Sequence, residues 1–71
     1  MAVILEIIPA AQNFLSELLN VPAYEIDIIK AAKADNGWEV EASSARDVFK
    51  HHVVLDDKLI VRFYEKNKLE V

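Results

Sequence analysis

Between residues 4 and 19 the apolar positions Ile4, Ile7, Ile8, Ala11, Phe14, Leu15, Leu18 and Leu19 recur at steps of three and four. Glu6, Ala10, Asn13, Glu17 and Asn20 fill the complementary row. Such a pair of interleaved stripes predicts an amphipathic helix from Pro9 onward. Residues 2–8 are less decided. Val3, Ile4, Ile7 and Ile8 are β-branched, and Pro9 has no N–H to donate to residue 5. Either the helix starts near Leu5 with Pro9 at the edge of its first turn, or residues 2–8 form a strand and Pro9 opens the helix. The first is preferred. Asn20 suits a helix C-terminal position, and Pro22 disfavours helical geometry at Val21.

The period then changes. Tyr24, Ile26 and Ile28 alternate with Glu25 and Asp27, a strand pattern, although early acids, late lysines and a closing glycine across 22–37 would also suit a second helix. What favours a strand over 23–34 is its continuation. Asn36-Gly37 is a preferred type I′ hairpin pair, with Gly37 in a left-handed position, and Trp38, Val40 and Ala42 then alternate with Glu39, Glu41 and Ser43. The consecutive Ile28 and Ile29 mark a bulge or a change of face. After the polar connection 43–47, two β-rich runs, 48–55 and 59–66, flank the acidic turn 56–58. Simple alternation puts Leu59, Val61 and Phe63 on one face and Ile60, Arg62 and Tyr64 on the other. Residues 67–71 read as a frayed strand end. The predicted fold is a single α+β domain over 1–71, with one N-terminal helix laid on a four-stranded antiparallel meander, αββββ.

Composition narrows what such a domain does. Seventy-one residues barely enclose one core, and with no cysteine the chain has neither disulfides nor thiolate metal sites. An apolar fraction of 54% exceeds what globular domains usually carry, which suggests apolar surface left over for an interface. The net charge of −4, with lysines and arginines scattered singly, argues against binding a phosphate backbone. The apolar opening lacks a basic segment, carries Glu6 and meets Pro9 too soon for a secretory leader or a membrane span. A soluble, cytoplasmic protein is expected.

The candidate chemistry is sparse. His51-His52 offers two imidazoles, but neighbours on a strand point to opposite faces, so they do not chelate one ion. The pair reads as one exposed and one half-buried histidine, with Asp56-Asp57 able to approach only one of them. Ser43 and Ser44 have no base or oxyanion site suggested around them, Glu39 and Glu41 read as carboxylates keeping a strand face wet, and the single glycine leaves no phosphate-cradling loop. No catalytic residue, metal or cofactor is expected. Protein binding fits better, through a sheet edge and a face carrying Tyr24, Trp38, Arg62 and Tyr64, set against the plainer reading that the three aromatics fill the core.

A family resemblance adds to this. Asn36, Gly37, Trp38, Val40 and Glu41, then Asp47-Val48, Val54-Leu55-Asp56 and Arg62-Phe63-Tyr64, together with the order of elements, resemble the gas vesicle protein O family over most of residues 10–65. The resemblance implies an accessory protein that binds other gas vesicle components during assembly, with no catalytic residues to carry over. The helix-then-meander order and the Trp38-x-Val40 strand are also similar to PepSY-like modules, which usually occur in exported proteins. The expected function is a non-enzymatic interaction or assembly module, binding another protein or itself as a homodimer. The alternative is a small acidic decoy that occludes a basic site on a nucleic-acid enzyme.

Overall fold

A computed structural model describes residues 4–68 of the chain. Helix α1 runs Ile4–Leu19 with Pro9 inside it. Residues 4–8 are therefore helical, while residues 2 and 3 of the open stretch lie outside the described residues. Pro9 forgoes one bond, to the carbonyl of Leu5, near an end where the ladder is incomplete anyway. Burial outweighs that loss. Ile7, Ala11 and Leu15, at steps of four, are completely buried, and burying each large side chain contributes about 1.5–3 kcal/mol. Leu18, expected in the buried stripe, is instead half exposed.

The helix ends as its sequence suggests. Asn20 takes a left-handed conformation with φ 56°, and the Val21 N–H donates back to the Ser16 carbonyl at 3.2 Å. That bond, with Val21 buried in the same cluster as Leu15, is a Schellman motif with its apolar contact. A short 3₁₀ turn at Ala23–Glu25 follows. Strands β1 (Ile26–Ala34), β2 (Gly37–Ser44), β3 (Phe49–Asp56) and β4 (Val61–Lys68) then form one sheet in the order β1-β2-β3-β4, with every neighbouring pair antiparallel. The strand reading of 23–34 thus holds from Ile26. The expected irregularity is present too, as a register shift between Ile28 and Lys30 that leaves Ile29 exposed.

The helix lies mainly over β1, with lesser contact to β2 and β3. It covers one face of the sheet only. Beneath it Ile26, Val40, Ala42, Val53 and Leu55 join Ile7, Ala11, Leu15 and Val21 in a single buried cluster. The shortest dimension of the domain is 17 Å, enough for one helix layer on one sheet layer and no third.

Three expectations are overturned. Ala34 pairs with Gly37, so the β1–β2 loop is Asp35-Asn36, and positive φ among described non-glycine residues occurs only at Asn20 and Leu59. No type I′ turn forms. Gly37 is needed for space: a Cβ there would overlap the Leu55 carbonyl oxygen and lie 2.9 Å from Asp56 Cα. Second, the β3–β4 turn is longer than 56–58. Asp56 and Ile60 are joined by an N–H to carbonyl bond at 3.0 Å, and Leu59 sits at φ 66°. The register then shifts, Val54 pairing with Phe63 and Leu55 with Val61. Arg62 is the extra residue, so Val61 and Tyr64 both pack on the core and Phe63 points to the opposite face. Third, neither histidine of the pair is exposed: His51 is fully buried, and His52 is the half-buried one.

Candidate functional site

The uncovered face of the sheet is the largest feature that the fold leaves unexplained. Pairing places three rows across it: Asp27, Ser43, Lys50 and Asn67; Lys30, Glu41, His52 and Glu65; Ala32, Glu39, Val54 and Phe63. Charges in the middle strands are cross-paired. Glu39 lies 3.3 Å from His52 and Glu41 3.6 Å from Lys50, arrangements favoured between facing strands. Phe63 is 49% exposed, its ring edge-on to His52 with centroids 6.1 Å apart. Beside it the surface dips. One open depression of about 540 Å³ is bordered by Ala34, Gly37, Glu39, Val54 and Arg62. A smaller one of about 90 Å³ is bordered by Lys30, Ala32, Glu39, Glu41 and His52. Small side chains on β1 and the start of β2 make these hollows, because alanine and glycine leave the backbone close to the surface.

At the end of this face Asp56 organises the turn. Its Oδ1 accepts from the Lys58 N–H at 2.8 Å and the Ile60 N–H at 3.1 Å, and its Oδ2 accepts from Arg62 Nε at 2.9 Å. The Ile60 amide first, then the Lys58 amide and Arg62, hold the Asp56 carboxyl below the ordinary aspartate range against an opposing effect of burial.

On the covered face a different polar group is enclosed. His51 Nδ1 lies 2.7 Å from the Tyr64 hydroxyl, and Nε2 lies 3.0 Å from Asp47 Oδ2. Asp47 is in turn fixed by the Phe49 N–H, which donates to its Oδ1 at 3.0 Å. With His51 neutral, Nε2–H donates to the carboxylate and Tyr64 O–H donates to Nδ1, a tautomer assigned from these partners. Burial first, and the Asp47 charge second, raise the Tyr64 hydroxyl above its usual range, which keeps it a donor. Carboxylate, imidazole and phenol in series could relay a proton. Here the phenol ring ends edge-on against Phe14, centroids 5.8 Å apart, so the chain serves to satisfy a completely buried histidine.

The four residues singled out in the sequence do not form one patch. Tyr24 is 85% exposed on the 3₁₀ turn, next to the Glu25–Arg46 ion pair at 2.8 Å. Trp38 lies on the helix-facing side, half-buried against the core, with Lys33 Nζ 5.1 Å above its ring. Tyr64 shares that side. Arg62 is on the other, tied to Asp56. The carboxylates that reach the histidines are Asp47 and Glu39, while Asp56 pairs with Arg62 and Asp57 with Lys33. Phe63, Val54, Ala32 and Ala34 were missed as a group. Their shared face depends on the register shift at Arg62, which strand alternation does not signal.

Among the described residues no three His, Asp or Glu side chains group so as to hold a metal ion, and no helix is long and apolar enough to cross a membrane. Comparison of the chain with protein-family models, curated proteins and solved structures gives no match.

Proposed function

We propose that this chain is a non-enzymatic interaction or assembly module working through the uncovered face of its sheet. The observation that carries the reading is Phe63, a large aromatic side chain half exposed on that face beside two hollows, one bordered by Ala34, Gly37 and Val54 and the other by Ala32 among charged side chains. A protruding apolar residue next to a concave surface, ringed by charged groups, has the anatomy of a protein-binding patch. An accessory part in gas vesicle assembly, implied by the resemblance around Trp38 and Arg62-Phe63-Tyr64, is the specific form of this proposal, carried out in the cytoplasm.

The acidic-decoy alternative is less favoured for an electrostatic reason. Glu39, Glu41 and Asp56 on the open face are each set against His52, Lys50 or Arg62, so the face lacks the single-signed field a basic cleft would attract. The two readings separate in a capture experiment with wild-type protein and the Phe63→Ser variant. An apolar sheet-face contact keeps its partner as salt rises from about 0.05 to about 0.5 M and loses it on Phe63→Ser; a decoy's binding collapses with salt. Partners that ignore Phe63→Ser and wash off in salt would remove the proposal.

A further inference from the structure

Accepting the open face as the binding surface, we infer that its occupant is a second copy of this chain, packed face to face about a two-fold axis parallel to the strands. Such an axis lays β1 of one copy over β4 of the other and β2 over β3, keeping each row opposite the same row. The rows then read as complements of themselves. Lys30 at one end of its row meets Glu65 of the second copy, and Glu41 meets His52. In the next row Phe63 lies over Ala32, beside the hollow bordered by Lys30, Ala32, Glu39, Glu41 and His52, and Val54 lies over Glu39. Asp27 meets Asn67. No like charges are opposed in these rows.

A two-fold axis running across the strands does worse. Placed between the row of Lys30 and Glu41 and the row of Ala32 and Glu39, it sets Glu39 against Glu41 of the second copy, and like charges there cost binding.

The monomer's own ion pairing points the same way. Glu39, Glu41, Lys50 and His52, on the two middle strands, are paired within the chain. Lys30 and Glu65, on the two edge strands, take part in no ion pair among the described residues. They are opposite in sign and sit at positions that the proposed axis exchanges, which is what an isologous interface requires. Alanine at 32 supplies room for the phenyl ring within the roughly 10 Å that separates packed sheets. Four strands of eight or nine residues present a face of roughly 19 by 26 Å. Two such faces bury on the order of 1,000 Å², the lower bound for a specific interface, so the dimer is concentration-dependent rather than obligate.

The test is sedimentation velocity over a concentration series, with circular dichroism to confirm that each variant folds. Wild-type protein is expected to pass from monomer to dimer. Lys30→Glu alone and Glu65→Lys alone each weaken dimerisation by about tenfold or more, because two attractive pairs become repulsive. Mixing these two variants restores the dimer, since each chain then brings one sign of charge at both positions and meets the opposite sign on both sides of the axis. Phe63→Ser also gives monomer. A wild-type protein monomeric throughout overturns the inference, as does a dimer indifferent to all three substitutions. Its failure is distinguishable from failure of the interaction reading: a monomer that still loses a captured partner on Phe63→Ser sinks self-association alone, whereas Phe63→Ser without effect on either removes both.

Discussion

The two faces of this sheet are made from the same strands and obey different rules. On the helix side Val40, Ala42, Val53 and Leu55 are sealed under Ile7, Ala11 and Leu15, and water is shut out. On the other side acids and bases pair across strands in contact with water, where such pairs contribute little to stability. Each face also holds a large side chain whose chemistry suits the other, and one on each face is instructive. His51 is buried in the covered side and Phe63 is exposed on the open side. The exceptions differ in kind. His51 is supplied with two partners from its own chain, so it is part of the fold; Phe63 has a ring neighbour and open surface, so it is available to something else.

The strongest challenge to that contrast compares one substitution on each face. Leu15→Ala, in the sealed layer, should destabilise by about 2–5 kcal/mol, a large part of the roughly 4–10 kcal/mol expected for a domain of this size. Phe63→Ser should change stability by no more than about 1 kcal/mol, both read from urea denaturation. Comparable losses from the two would mean that the open face is part of the core after all.

Gly37 belongs to the open face by position, yet its role is internal. Gly37→Ala drives a Cβ into the Leu55 carbonyl and should cost about 1–3 kcal/mol through displacement of β2 from β3. Faster amide exchange confined to that end of the pair would be the local signature.

Tyr64→Phe tests the other exception. It keeps the ring against Phe14 and removes the hydroxyl that donates to His51, leaving a buried acceptor unpaired at about 1–3 kcal/mol. An unchanged urea midpoint would mean that the histidine is satisfied in some other way.

The smallest effect is expected at Asp56. Its folded pKa lies below the unfolded value of about 3.9, so the stability it contributes is fully present above that value and is lost as pH falls through the folded pKa. Asp56→Asn should therefore be slightly less stable than wild type at neutral pH, and the two should converge in strong acid. A gap that stays constant across the acid range would assign the effect to the turn's geometry rather than to its charge.

Much of the covered face was legible in advance. The three-and-four spacing to Leu19, the Asn20–Pro22 stop and the alternation of Trp38, Val40 and Ala42 with Glu39, Glu41 and Ser43 are local signals, and α1 and β2 follow from them. The open face was not, because its composition depends on where one residue is added to a strand. Leu59, Val61 and Phe63 alternate perfectly in the chain; the turn held by Asp56 takes Leu59 out of the strand, and Arg62 shifts the rest by one. Of the candidate contacts, Tyr24 and Arg62 are exposed, while Trp38 and Tyr64 pack on the core.

Local periodicity thus determined by itself the helix from Pro9 onward, the strands after Gly37 and the face of β2 that turns inward, since a side chain's direction within one element depends only on its place in that element, while over 23–34 it suited a strand and a helix alike. Tertiary structure decided the rest: the burial of His51, the need for glycine at 37, and the exposure of Phe63. Each of these depends on contact or register with a neighbouring strand, where a shift of one residue exchanges inside for outside.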